Sequence, residues 1–140
     1  DKDTVYNEVF LDKQNLERMF GCQITGMAYP YGTYNDEVVQ ILKKCKIQYA
    51  RSVVSSGAFK LQKNLLIFKP TCHHADENIW ELLEKFLKEK SEEKQLFYIW
   101  GHSYEFDVNN NWKRMEEILD RLIGHNNIFY GTNREVLLPC

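Results

Sequence analysis

Residues 24–32, Ile24-Thr25-Gly26-Met27-Ala28-Tyr29-Pro30-Tyr31-Gly32, decide how the rest of the chain is read. The first six form a short strand-like run, and Pro30 and Gly32 stop it. Asn35-Asp36 then offers a helix cap, after which Val38, Val39, Ile41 and Leu42 recur at helical spacing. A strand turning directly into a helix predicts a βα unit.

Outward from that unit the pattern repeats. Upstream, Val5, Val9, Phe10, Leu16, Met19 and Phe20 predict a helix that Gly21 stops. Downstream, strand-like runs at residues 49–54, 65–69, 96–100 and 128–130 alternate with further helical segments. One carries Ile79, Leu82, Leu83, Phe86 and Leu87 and runs into the charged stretch 88–94. Another, after Asn109-Asn110-Asn111, carries Trp112, Met115, Ile118, Leu119, Leu122 and Ile123 and stops at Gly124. Such alternation predicts an α/β fold with a largely parallel sheet. With no repeat, low-complexity stretch or linker, residues 1–140 are expected to form a single domain.

Composition bounds the function. The 140 residues are 44% hydrophobic and 27% charged, enough for a real core, and the formal net charge of -2 gives no electrostatic case for nucleic acid. No apolar run approaches the ~20 residues needed to cross a bilayer. The chain opens on Asp1 and not on Met, so a processed or trimmed start is expected. Cys22, Cys45, Cys72 and Cys140 form no Cys-x-x-Cys pair and are too sparse for a disulfide scaffold. Most read as small buried hydrophobes, and the redox compartment stays open.

Chemistry collects at the carboxyl ends of strands in such folds. After Tyr29, the proline removes one amide donor, and the donors of Tyr31 and Gly32 can face a bound oxygen as an oxyanion hole does. A turn kept for its backbone angles alone explains the same residues. After Trp100, Gly101 lets the backbone bend and places His102 at the rim, where an imidazole can act as general acid or base. Glu105 or Asp107 could orient that ring; a histidine capping a loop is the plainer alternative. Pro70-Thr71-Cys72-His73-His74-Ala75-Asp76 also follows a strand-like run. Adjacent histidines on an extended segment point to opposite sides, so both are not expected on one metal. Asp76 reads as N-cap of the helix beginning near Asn78. His125, at a helix end, reads as structural. Tyr29, Tyr31, Tyr34, Trp100, Tyr104 and Phe106 near the proposed rim would suit stacking against sugar rings.

These pieces, in order, become a family resemblance. Residues 27–35 around Pro30-Tyr31-Gly32, Tyr49-Ala50-Arg51-Ser52-Val53, Pro70-Thr71-Cys72-His73-His74 and Trp100-Gly101-His102-Ser103-Tyr104-Glu105-Phe106 together resemble the polysaccharide deacetylase (NodB homology) family over about residues 7–137. The resemblance implies metal-dependent removal of N- or O-acetyl groups from glycans on a distorted (β/α) barrel. It implies a divalent metal such as zinc, held by one Asp and two His from a paired Asp-Asp and a His-x-x-x-His motif. Neither motif occurs here, so the chain is expected to be an incomplete barrel lacking the first one or two βα units, with no metal ligands and no activity alone. The implied roles are His102 as general acid and the Tyr31 amide as oxyanion donor. Arg51 would replace an orienting arginine whose usual place is taken by Ala28. Tyr29, Pro30, Trp100, Tyr104 and His73 would contact an acetylated glycan.

Other expectations follow. A non-catalytic carbohydrate-binding or interaction module on the same degenerate fold is the alternative function. A new metal site from His73, His74, His102 and Asp107 is a third reading. The open barrel edge along residues 24–29 is expected to drive homo-oligomerisation. An extracellular or cell-envelope location follows only from family habit.

Overall fold

The computed structural model describes residues 1–138. In chain order the elements are α1 (Lys2–Phe20), β1 (Gly26–Ala28), α2 (Asp36–Lys44), β2 (Tyr49–Arg51), β3 (Cys72–His73), α3 (Ile79–Lys88), β4 (Ile99–Trp100), α4 (Ser103–Val108), α5 (Trp112–Leu122) and α6 (Asn133–Leu137). They gather into two compact units. The first holds Asp1–Val53, Gln62–Phe68 and the stretch from Tyr130; the second holds Val54–Leu61 and Lys69–Phe129.

The first unit is built on a parallel β1–α2–β2 crossover, with Gly26 opposite Tyr49 and Ala28 opposite Arg51. Asn35 caps α2 by accepting from the Val38 amide at 2.8 Å, as its sequence position predicts. The helix then buries Val39, Ile41 and Leu42 against Tyr29, Ala50 and Leu66. α1 starts at Asp1, whose side chain accepts from the Thr4 amide, and ends at Gly21 with φ 64, a left-handed C-cap that glycine adopts without penalty. Val5, Tyr6, Val9 and Phe10 pack on the core, but Met19 and Phe20, which shared the expected apolar stripe, are exposed.

The run 65–69, expected as a strand, instead forms a 3-10 turn at Leu65–Ile67. The Asn64 side chain accepts from the Leu66 amide and favours the turn over extension. Sheet pairing survives only at Phe68, whose amide donates to Ala50 and whose carbonyl accepts from Ser52.

The second unit repeats the crossover as β3–α3–β4, again parallel, with Cys72 opposite Ile99 and His73 opposite Trp100. Its core is Cys72, Ile79, Leu83 and Ile118, joined by Trp80, Phe97 and Leu122. Phe59 adds ring contacts to Phe86 and Phe97. The expected cap of α3 is corrected: Asn78 holds the N-cap position, and Asp76 accepts the Asn78 amide in the turn before it. Residues 128–130 form no strand. Both sheets are two-stranded pairs, and no closed barrel forms among the described residues. Cys45 and Cys72 are buried as expected, whereas Cys22 is exposed; Cys140 lies outside the described residues. Among the described residues, no helix is long and apolar enough to cross a membrane.

Candidate functional site

Most of the sequence-derived site residues fall at the ends of short strands. Tyr29, Pro30, Tyr31 and Arg51 belong to the first unit, and His73, Trp100, His102 and Tyr104 to the second.

In the first unit, Pro30–Gly32 forms a 3-10 turn in which Tyr31 takes φ 55, uncommon for a residue with a side chain. The turn consumes the Gly32 amide, which donates to the Tyr29 carbonyl at 2.9 Å, so Gly32 is no oxyanion donor. The Tyr31 amide has no acceptor among the described residues, and its side chain is 94% exposed. Tyr29, expected at a sugar-binding rim, is 4% exposed and donates its hydroxyl to the Leu66 carbonyl at 2.6 Å. Burial pushes this phenol up to about 12, with Tyr34 stacked on it at 4.7 Å adding to the effect. Pro30 is exposed; Arg51 is half-buried, and its Nη1 donates to the Ser52 carbonyl.

The second unit gathers a titratable cluster. β3 ends at His73 and the chain turns at once, which breaks the strand alternation. The two histidine rings therefore lie 4.2 Å apart on the same side, correcting the expectation that they diverge. Both reach one carboxylate: Glu105 Oε2 is 3.2 Å from His73 Nε2 and 2.8 Å from His74 Nε2. The same oxygen accepts from the His102 backbone amide at 2.9 Å. The His102 amide and His74 hold the Glu105 carboxyl down at about 2, so it is ionised at neutral pH. Burial, with His74 close by, pushes His73 below the usual histidine range.

Glu105 thus orients the His102 backbone and not its ring. Asp107 is taken by Trp112, whose indole N–H donates to it at 2.7 Å. His74 is 2% exposed, packed against Phe106, and held from behind by Arg114, which donates to the His74 and Asp76 carbonyls. The exposed His102 ring stacks on Tyr104, itself 61% exposed, and meets the Trp100 edge. Trp100 also meets His73, so His73, Trp100, His102 and Tyr104 form one run of ring contacts. His125 does read as structural: its Nε2 lies 3.2 Å from the Arg121 carbonyl.

The sequence reading missed the hub role of Glu105. The signal was there in the spacing His102-x-x-Glu105, which matches the backward half of a capping box. Of possible metal holders among the described residues, His73, His74 and Glu105 converge, with one ligand atom from each inside 4.8 Å. His102 and Asp107 are not part of that group.

The polysaccharide deacetylase family model matches residues 1–50 of this chain, spanning α1, β1, the Pro30 turn and most of the crossover. That match supports a partial polysaccharide deacetylase domain. No curated protein and no solved structure matches the chain.

Proposed function

We propose that this chain contributes the acyl-stabilising and proton-donating part of a glycan deacetylase of the polysaccharide deacetylase type, an incomplete barrel that cleaves an acetyl amide or ester. One observation carries the reading. The Pro30–Gly32 turn lies within the segment that matches the family, and it leaves the Tyr31 amide without an acceptor. A preorganised backbone donor of this kind stabilises the negative charge that develops on an acetyl oxygen under attack. In the second unit, taken by itself, exposed His102 is the group that the resemblance implies as proton donor to a leaving sugar nitrogen or oxygen, with Trp100 and Tyr104 beside it able to stack on a sugar. Arg51 would orient the site, and Tyr29 supports the turn from beneath, since its phenol is buried.

The divalent metal that the resemblance implies needs a paired Asp and a His-x-x-x-His segment, and these 140 residues contain neither. The 140-residue chain is therefore expected to release no acetate from acetylated chitooligosaccharides, with or without added Zn2+. Chelator-sensitive turnover would overturn this.

The run of rings from half-buried Trp100 to exposed His102 and Tyr104 also favours the non-catalytic reading. Glycan binding lost in Trp100→Ala but kept in His102→Ala would select it. β1 pairs along one side only among the described residues, which favours self-association through its free edge. Light scattering is expected to report a dimer or larger species; a monodisperse monomer would count against the edge.

A further inference from the structure

We propose that His73, His74 and Glu105 bind one divalent cation of the borderline transition-metal class, Zn2+ being the type. These residues are not the Asp and His set that the resemblance implies, and they come from the end of β3 and the first turn of α4. The inference does not depend on the glycan reading.

The case is geometric. The two imidazole Nε2 atoms and the carboxylate face one another, with Glu105 Oε2 at 3.2 and 2.8 Å from them. Two imidazoles and a carboxylate are a donor set that Zn2+ and Co2+ accept. That single oxygen also takes the His102 amide, so three N–H groups crowd an atom with two lone pairs. A cation between the rings and the carboxylate would relieve the crowding and leave the His102 bond in place.

The surroundings fit a held ion. His74 is 2% exposed, which holds its ring in one place. Phe106 covers the His74 ring at 4.2 Å and Trp100 the His73 ring at 4.5 Å, an apolar shell around the donors. The His73 and Glu105 side chains keep 23% and 24% exposure, so the cluster is reachable from solvent on their side.

Loading has a cost that can be named. The Ala75 amide donates to His73 Nδ1, which fixes the ring proton on Nε2. Coordination through Nε2 requires the Nδ1–H tautomer, so the His73 proton moves to Nδ1 and the 3.2 Å Ala75 contact opens, while the His74 proton moves to a buried Nδ1 that has no hydrogen-bond partner.

The test uses the whole 140-residue chain, with Zn2+ followed by calorimetry and Co2+ by visible absorption. Wild type is expected to take up a single saturating equivalent. Glu105→Gln and His73→Ala should each weaken binding by at least about 10-fold, while His125→Ala, at a histidine outside the cluster, leaves it unchanged. Circular dichroism checks that each variant is folded, and His73 is exposed enough for its variant to keep the test open should Glu105→Gln unfold. No saturable uptake by wild type, or uptake equally strong in folded His73→Ala, overturns the site. Either result leaves the acetate-release assay to be judged separately.

Discussion

Gly101→Ala is expected to lose about 1–3 kcal/mol of stability and to disperse the histidine cluster. A Cβ at residue 101 would overlap Cδ2 of His74 and lie 2.7 Å from its Nε2. The ring has nowhere to retreat. It is buried, faces His73 and Phe106 at 4.2 Å each, and is bonded to Glu105. The strain must pass to the β4–α4 junction, which carries His102. Gly26→Ala is the matched control. Its Cβ would overlap the Tyr49 ring at 1.9 Å, but that ring is half-buried where His74 is buried, so it has more room to shift once its Thr25 hydrogen bond is given up. Urea unfolding should therefore separate the two alanines clearly. In nuclear magnetic resonance spectra, the His73 and His74 ring signals should move in Gly101→Ala while the His125 signal stays. Wild-type stability with unmoved His74 signals would mean the close approach is unimportant.

The second large effect is alkaline. Tyr29 keeps its phenol proton to about 12 in the folded chain, chiefly because it is buried, whereas the unfolded phenol titrates near 10.0. A folded value above the unfolded one means stability that is fully present below pH 10 and is lost as pH rises through 12. Two units correspond to about 2–3 kcal/mol. Tyr29→Phe removes the hydroxyl and strands the Leu66 carbonyl, costing about 1–3 kcal/mol at neutral pH. The stability gap between wild type and Tyr29→Phe should then close between pH 10.0 and about 12, the span between the unfolded and folded values. Taking the difference cancels the lysines and Tyr49, whose own phenol burial also pushes up. A gap that stays constant over that range would show that Tyr29 is not the proton-holding group.

Local rules made part of this molecule legible. Asn35 and Gly21 announced the ends of α2 and α1 because caps depend on residues a few positions apart. The βα alternation predicted parallel pairing, and both crossovers are parallel. What sequence could not give was competition between elements. Residues 65–69 have strand composition, but the Asn64 side chain offers the backbone a closer partner. α6 went unseen although Thr132-x-x-Glu135 is a complete capping box, because the apolar run 128–130 drew the reading toward a strand. Strand-end logic placed Trp100 and His102 at the end of β4, where they stand, while the pairing of His73 with His74 was not foreseen. A two-residue strand is too short for alternation to set side-chain direction, and the turn that follows decides it.

The thiols bear on how any assembly should be diagnosed. Of the three described cysteines, Cys45 and Cys72 are sealed in the cores, and burial pushes the Cys72 thiol up to about 12, which keeps it unreactive. Cys22 alone among them meets solvent, one residue past the end of α1's cap. In air, two molecules can therefore become covalently joined at that point without any sheet edge taking part, so sizing should be run under reductant.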